Sequence, residues 1–536
     1  MIRRIAVSLL VAGAVCAQDT ARMDQVVQAS LAEKKFMGSA LVARGDLVLF
    51  SKGYGSANLE WSIPNSPSTK FRLGSVTKQF TAASILLLEE RGKLKTDDPV
   101  KKWMPDAPAA WDKITIFHLL THTSGIPNFT SFPDYAAQEP FATTPEKLVA
   151  RFRDKPLDFQ PGEKWSYSNS GYVLLGYLIE KASGATYEKF VQENIFGPLA
   201  MKDSGYDSNS AVIARRAAGY APGKEGPVNA GFIHMSVPFS AGSLYSTTED
   251  LLRWEQGLFG GKILSAASLT KMTTPFKDDY ACGVGVRTVK GHKVIDHGGG
   301  IEGFNTFLAY YPDDKLTVVV LSNLNGGAPQ EIATKLAAVA HGEKVELPSE
   351  RKEITLAPAQ LEQYVGTYQL APRVEMKITL NGGQLFTQLS GQGKLALFPS
   401  SETMFFLKVV DAQVEFGKDD KGPYAVLHQG GRDQKAPRTS DKVVERKEVA
   451  VAPKILEQYV GTYEMRPGFD MVITLDGGQL ISQATGQGKI PLFAASETKF
   501  FPKVIDAEIE FVKDDKGAVT QMILRQGPGE MKASRK

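Results

Sequence analysis

The sequence of 536 residues predicts an α+β domain followed by two small all-β domains. Strand-like segments lie at 40–50 and again at 283–322, and the chain between them is mostly helical in pattern. Strands at both ends with helices between them indicate one antiparallel sheet, with helices on its faces and a helical insertion. After His341 a sequence pattern recurs 95 positions later, which indicates duplicated domains rather than a short-period solenoid.

The composition is ordinary for a globular protein and excludes some function classes. The chain is 43% hydrophobic and 23% charged, and its length allows about two to four domains. The net charge is +3 and no dense stripe of Lys and Arg occurs, so we expect no nucleic-acid partner. After the N-terminus, no run is long and apolar enough to predict a transmembrane helix.

The N-terminus predicts a signal peptide over residues 1–17 and hence a secreted or periplasmic protein. Two basic residues precede an apolar run over 5–15, and a small-residue cleavage site ends at Ala17. Two alternatives stay open: a lipid anchor at Cys16, for which the preceding valine is bulky, and an uncleaved helix. Cleavage leaves Cys282 as the single cysteine, so no intrachain disulfide can form.

The elements of the first domain follow from hydrophobic periodicity and turn residues. Residues 39–55 predict a hairpin that turns at Arg44-Gly45-Asp46. A helix begins near Ser75, because apolar residues recur there at a helical period, and Gly92 ends it. The other predicted helices span 116–123, 172–182, 250–258, 266–273 and 330–341, and the later strands span 283–289, 292–296, 304–311 and 316–322.

Two histidines on the predicted helix 116–123 raise the alternative of a metal site. His118 and His122 are four residues apart, a spacing that can bind zinc. The metalloprotease pattern requires Glu after the first histidine, and this chain has Leu119. No third ligand is evident in the sequence. We therefore expect local hydrogen bonding here, and no metal or other cofactor.

The two repeats carry the signals of small barrels. The segment 361–368 recurs at 456–463, and Asn381-Gly382 and Asp476-Gly477 are hairpin turns at the same offset. Each copy therefore predicts a closed or nearly closed β-barrel. The predicted boundaries are 18–345 for the first domain, 346–357 for a linker, 358–431 for the first repeat, 432–450 for a second linker and 451–536 for the second repeat.

Ser75 and Lys78 are a candidate nucleophile and base. Three residues apart on a helix, they lie on one face, and a lysine with a lowered pKa can take the proton of a serine hydroxyl. The Ser-x-x-Lys pattern alone is weak, because it recurs at Ser268, Ser349 and Ser496. The assignment therefore depends on partners elsewhere in the chain.

Two later segments could complete a site around Ser75. Tyr167-Ser168-Asn169 offers a phenol that could relay a proton and an amide that could bind a substrate carbonyl. The alternative is that Tyr167 is a core aromatic and Asn169 a helix cap. His297-Gly298-Gly299-Gly300 lets the backbone approach a ligand and could supply an oxyanion-hole N–H. The alternative is a glycine-rich turn that enters a hairpin.

The ordered set resembles the serine β-lactamase and penicillin-binding-protein superfamily. Ser-x-x-Lys, Tyr-Ser-Asn and His-Gly-Gly follow in that order, and the flanking segments 118–127 and 241–247 are similar too. The resemblance covers roughly 23–341 and is closest to the class C-like branch (peptidase S12 type) of D-Ala-D-Ala carboxypeptidases, D-aminopeptidases and esterases. The repeats resemble the lipocalin-like C-terminal domains of some members.

The resemblance implies a role for each motif residue. Ser75 would attack the carbonyl, Lys78 and Tyr167 would share the general-base work, and Asn169 would orient the substrate amide. The N–H groups of Ser75 and Gly300 would form the oxyanion hole, next to Gly299. His297 would face the substrate where many members have Lys. Because imidazole is mostly neutral at neutral pH, we expect carboxylate-bearing β-lactams to be poor substrates.

The sequence therefore predicts a secreted serine hydrolase that acts on D-amino-acid peptides, amides or esters. The alternatives are a penicillin-binding sensor that is acylated without turnover, a β-lactamase, and a pure binding protein. An α/β-hydrolase is disfavoured because no Gly-x-Ser-x-Gly elbow occurs. We expect a peptide or small-molecule substrate and leave a homo-oligomer open. For the repeats we favour a structural or access-limiting role over ligand binding.

Overall fold

The computed structural model describes residues 19–430, 432–443, 446–466 and 468–536. The predicted signal peptide and Cys16 lie outside these residues. The chain divides into two compact units, one ending at Val345 and the other spanning Glu346–Lys536. Each unit is described by itself. Within the described ranges, no helix combines the length and the apolar character needed to cross a membrane.

A six-stranded antiparallel sheet organises the first unit. Its strands lie in the order β3-β4-β5-β6-β1-β2, so the two N-terminal strands extend a sheet built from the later part of the unit. This is the predicted α+β arrangement, and it is confirmed. The bounds are β1 Gly38–Arg44, β2 Leu47–Tyr54, β3 Gly285–Val289, β4 His292–Ile301, β5 Phe304–Tyr311 and β6 Leu316–Ser322. In the central pairing, Leu41 of β1 lies opposite Val319 of β6.

Helices cover the sheet and form the insertion between β2 and β3. They are α1 (residues 19–32), α2 Thr77–Glu90, α3 Ile116–Leu120, α4 Tyr135–Gln138, α5 Pro145–Arg153, α6 Asn169–Ser183, α7 Tyr187–Val191, α8 Phe239–Gly242, α9 Thr248–Phe259, α10 Ala266–Thr273 and α11 Ala328–Ala340. Helices α9 and α11 pack on the sheet, whereas α2 packs against α6 and α8. Short strands such as Phe71–Arg72 and Leu244–Ser246 form small separate sheets.

Helix α2 is the buried centre of the unit. Residues 77–88 are all buried, so the polar residues of this helix need partners inside the unit. The ring of Phe80 lies 4.2 Å from that of Trp254 on α9, and the Trp254 indole N–H donates to Gln79 Oε1 at 2.8 Å. Because buried polar groups are paired in this way, α2 is held in one register, and the residues at its first turn are placed accurately.

The second unit consists of two closed eight-stranded barrels, as the repeats predict. The first barrel has strands β7 Gly366–Ala371, β8 Val374–Asn381, β9 Gln384–Leu389, β10 Leu395–Pro399, β11 Met404–Phe406, β12 Ala412–Asp419, β13 Gly422–Gln429 and β14 Arg432–Ser440. The second has β15 Gly461–Arg466, β16 Phe469–Asp476, β17 Gln479–Ala484, β18 Ile490–Ala494, β19 Lys499–Phe501, β20 Ala507–Lys513, β21 Val519–Gln526 and β22 Gly529–Arg535. Short helices α12 Pro358–Glu362 and α13 Pro453–Leu456 precede the two barrels.

Large side chains of the barrels themselves fill their interiors. Tyr364 stacks on Phe416 with ring centroids 4.4 Å apart, and the repeat equivalents Tyr459 and Phe511 stack at 4.3 Å. Burial alternates along β12 and β20, as expected for strands with one face inward. The conserved offset of these pairs within the chain shows that both copies share one core design.

The predicted boundary between the repeats needs a correction. We expected a linker over 432–450, but 432–440 is β14, which closes the first barrel against β7 and β13. The prediction failed because β14 is charged: Ala436 is its buried residue, and most of its neighbours face solvent. An exposed barrel strand and a charged linker have the same composition, so sequence alone did not separate them.

Candidate active site

Ser75 lies in a single turn of 3-10 helix, Gly74–Val76, that leads directly into α2. Gly74 has a φ of +53°, and a Cβ at this position would lie 2.8 Å from the Gly300 nitrogen on β4. Only glycine allows both the left-handed backbone and this close approach. The turn that carries Ser75 therefore packs against β4 at Gly300.

Lys78 is fully buried beneath Ser75. Its Nζ lies 3.0 Å from Ser75 Oγ, 2.8 Å from Asn169 Oδ1 and 2.9 Å from the Ala241 carbonyl oxygen. Burial holds the pKa of Lys78 well below its usual range. A neutral amine has two N–H groups, and the two carbonyl-type oxygens accept both. Its lone pair is then left for the hydroxyl proton of Ser75, the geometry that a general base requires.

Tyr167 lies next to both Ser75 and Lys78. The Lys78 Nζ lies 4.8 Å from the centre of its ring. Burial raises the pKa of Tyr167, and a hydrogen bond with the Ser75 side chain offsets this only in part. Tyr167 is therefore a phenol at neutral pH. A phenol in this position can pass a proton on more readily than it can take the first one, which favours Lys78 as the base.

Asn169 is positioned at the first residue of α6. Its backbone N–H donates to Asn128 Oδ1 at 3.0 Å, and its side-chain amide donates to Thr130 Oγ1 at 3.2 Å. Because its Oδ1 accepts from Lys78, the amide is held at both ends. Asn169 therefore orients the amine of Lys78 and also lines the cavity described below.

His297 uses both of its ring nitrogens in hydrogen bonds within the protein. Its Nδ1 is 2.6 Å from the Gly298 carbonyl oxygen and must donate to it, so Nε2 accepts from the Tyr280 hydroxyl at 3.0 Å. Burial and the nearby Lys78 lower the pKa of His297 to about 3. The ring is neutral and its nitrogens are used within the protein. We expected His297 to contact substrate, but it is not among the residues that line the cavity.

Gly298, Gly299 and Gly300 lie within β4 rather than in a turn, and they pair with β5. A Cβ on Gly299 would lie 2.0 Å from the Leu73 carbonyl oxygen and 2.3 Å from Thr306 Oγ1. Gly299 therefore faces Leu73, and only a glycine at this position allows β4 to pack against the residues just before Ser75. Gly300 lines the cavity, so its N–H can serve as the second oxyanion donor beside that of Ser75.

The two histidines of the zinc alternative are used as hydrogen-bond acceptors. The His118 Nδ1 accepts from the Thr115 N–H at 3.2 Å in a capping box, and the His122 Nδ1 accepts from the Ser168 N–H at 3.1 Å. His122 packs against Tyr167 with ring centroids 4.3 Å apart. The ring of His122 therefore helps to hold Tyr167 in place, a role that the sequence did not predict. Only its flanking similarity to the family marked it as significant.

A cavity of about 170 Å3 opens above Ser75. Among the described residues that line it, Glu302 is the one that carries a formal charge. Glu302 follows Gly300 by two positions and belongs to none of the motifs. The lining residues are Gly74, Ser75, Phe129, Thr130, Tyr135, Asn169, Ile233, Pro238, Ala241, Gly242, Gly300, Ile301 and Glu302.

Comparison with known proteins decides the family. Residues 23–342 match the family described as Beta-lactamase. The chain belongs to the beta-lactamase family. Its members are serine hydrolases, so the predicted resemblance is confirmed. Residues 350–433 and 445–534 each match a domain of unknown function, and these ranges cover most of each barrel.

Several relatives within the family are similar over most of the chain. Penicillin-binding protein 4* of Bacillus subtilis (strain 168) is 31% identical over 446 residues, which cover 77% of this chain and 98% of that protein. The octameric penicillin-binding protein homologue from Pyrococcus abyssi superposes with a TM-score of 0.58 at 28% identity, covering 78% of this chain and all of that chain (100%). A D-stereospecific amidohydrolase from Streptomyces sp. gives 0.50 at 28% identity over 57% of this chain and 94% of that one.

Proposed function

We propose that this member of the beta-lactamase family hydrolyses amide, peptide or ester bonds of D-amino-acid derivatives through an acyl-Ser75 intermediate. The observation that carries the proposal is the set of contacts at Lys78. Its two acceptor neighbours and its buried position direct a lone pair at Ser75 Oγ, which lies 3.0 Å away. A buried lysine with a purely structural role would need a carboxylate partner, whereas the hydrogen-bond partners of Lys78 among the described residues are neutral oxygens.

Each step of acylation has a residue in position. Lys78 takes the hydroxyl proton as Ser75 Oγ bonds to the substrate carbonyl carbon. The negative charge that forms on the carbonyl oxygen is bound by the N–H groups of Ser75 and Gly300. The Tyr167 phenol gives its proton to the leaving amine or alkoxide and regains one from Lys78. The acyl group is then on Ser75, and water activated by Lys78 and Tyr167 releases it as the acid.

Two observations favour D-amino-acid derivatives over β-lactams as substrates. The amidohydrolase from Streptomyces that this chain resembles is D-stereospecific. In addition, no cation faces the cavity among its described lining residues, since Lys78 is buried below it and His297 is neutral. A carboxylate-bearing β-lactam would therefore lack an ion-pair partner.

The experiment compares hydrolysis of D-alanine p-nitroanilide, its L-enantiomer, p-nitrophenyl acetate and a penicillin by wild type and Ser75→Ala. We expect turnover of the D-anilide and the ester, little of the L-anilide or the penicillin, and none in the variant. Lys271→Met is a control with unchanged turnover expected. Lys271 is the lysine of another Ser-x-x-Lys pattern, and its amine pairs with Glu89 near the surface. Equal turnover of both enantiomers would contradict the proposed stereochemistry.

A penicillin-binding sensor is the second candidate, because a relative is named a penicillin-binding protein. A fluorescent penicillin distinguishes the two. A stable adduct on Ser75 without release of product, together with no turnover of the anilide or the ester, would favour the sensor over the hydrolase.

We also propose that the chain is exported and that the barrels have a structural role or limit access to the site. Their interiors are filled with their own side chains, which leaves little room for a ligand. A chain that ends at Val345 tests the second point. Unchanged substrate range and unchanged solubility in that shortened chain would contradict it.

A further inference from the structure

Glu302 is a charged residue in an otherwise neutral cavity. It follows β4 directly, in the turn before β5, and it lines the cavity together with Ser75. Its Oε2 atom is buried and has no hydrogen-bond partner among the described residues. A buried, unpaired carboxylate oxygen is unfavourable unless a ligand supplies a donor. The chemistry that best satisfies it is a cation with N–H donors.

The surroundings of Glu302 strengthen the negative field. Glu139 lies close enough that burial and the charge of Glu302 together raise its pKa. Tyr135, another lining residue, has its pKa raised by burial, by Glu302 and by Glu139. The guanidinium of Arg151, whose charge lowers the pKa of Tyr135, donates to Asp134 at 2.8 Å. The acidic charge at this end of the cavity is therefore available to a ligand.

The position of Glu302 relative to the reacting bond suits one substrate group. Gly300 offers a candidate oxyanion N–H, and Glu302 lies two residues further on and lines the same cavity. In an amino-acid derivative, the carbon that carries the amino group is bonded directly to the carbonyl carbon that Ser75 attacks. That amino group therefore lies next to the reacting carbon, inside the cavity that Ser75 and Glu302 both line.

We propose that Glu302 binds the free α-ammonium group of the residue that acylates Ser75, which makes the chain an aminopeptidase or amidase for unblocked D-residues. The inference rests on the proposed serine hydrolase. It separates substrates with a free amine from those that are N-acylated, and it disfavours substrates that present a carboxylate at this position.

The test measures kcat/KM for D-alanine p-nitroanilide and for its N-acetyl derivative at about pH 7, where the free amine is mostly protonated. We expect wild type to prefer the free amine, and Glu302→Gln to reduce that preference roughly 10- to 100-fold. Glu225→Gln is the matched control, since it removes one negative charge from an exposed site of the same unit. It should change the preference by less than about twofold. Glu302→Lys should favour an N-succinyl derivative instead.

The outcomes separate this inference from the proposed function. Equal use of free and N-acetylated anilides by wild type would overturn the role of Glu302, whether or not any variant folds, and would leave the hydrolase in place. An unchanged preference in a folded Glu302→Gln would do the same. Failure of p-nitrophenyl acetate and of every anilide to acylate Ser75 would overturn the proposed function, and this inference with it.

Discussion

Replacing Gly299 by alanine is the sharpest test of how the site is assembled. Gly299 lies in an ordinary strand, so alanine can adopt its backbone conformation. The obstacle is steric, because the new Cβ would lie 2.0 Å from the Leu73 carbonyl oxygen and 2.3 Å from Thr306 Oγ1. Those two atoms are hydrogen-bonded to each other at 2.7 Å, so neither moves freely.

The size of the effect follows from these distances. Ordinary contact begins near 3.4 Å, so β4 and the segment before Ser75 must separate by about 1.4 Å. Such overpacking costs about 1–3 kcal/mol of stability. The displacement also moves the Gly300 N–H away from the oxyanion position, and a shift of about 1 Å can lower the rate about 100-fold. Gly298→Ala is the matched control, because its Cβ would meet Phe307 at an ordinary 3.6 Å.

The assay is hydrolysis of p-nitrophenyl acetate, with thermal unfolding measured on the same samples. We expect Gly299→Ala to lose about 100-fold in kcat/KM and to melt several degrees lower. Gly298→Ala should stay within about threefold of wild type. Equal behaviour of the two variants would contradict this prediction, because it would mean that the contact of Gly299 with Leu73 and Thr306 does not position the site.

Three further predictions concern buried titratable groups. Because burial lowers the pKa of Lys78, the acidic limb of the kcat/KM profile should lie well below the usual lysine value of about 10.4, and a limb near that value would contradict the base assignment. Burial raises the pKa of Glu255 to about 8, so the unfolded chain loses this proton at a lower pH than the folded one, and the free energy of unfolding falls between about pH 5 and 8. In urea unfolding, the free energy of unfolding of Glu255→Gln should therefore rise by on the order of 3 kcal/mol relative to that of wild type over this pH range. Tyr280→Phe leaves the buried His297 Nε2 unpaired and should cost about 1–3 kcal/mol in the same assay, and no loss would contradict the assigned tautomer.

Parts of the site that depend on local spacing could be predicted from sequence. Ser75 and Lys78 meet because side chains three residues apart lie on the same face of a helix. The apolar residues that follow Ser75 predict that helix. The hairpin of β5 and β6 followed from strand-like segments on either side of the turn Pro312-Asp313-Asp314. The order of motifs then indicated that Tyr167 belongs to the same site.

Other parts depend on contacts that no local pattern records. The hydroxyl that turns His297 inward belongs to Tyr280, in a segment with no motif of its own. Gly299 looked like a flexible position, but its requirement is set by the Leu73 carbonyl of a distant segment. Glu302 belongs to no motif, and only the folded cavity shows that one of its carboxylate oxygens is buried without a hydrogen-bond partner among the described residues. Each of these features requires the tertiary fold.

The most direct test of the account is the mass of the protein after brief incubation with a D-alanine ester, followed by peptide mapping of the adduct. We expect one added acyl group on Ser75 that disappears as product forms, and we expect no such group on the Ser75→Ala variant. An adduct on any other residue, or one that persists in the Ser75→Ala variant, would contradict it.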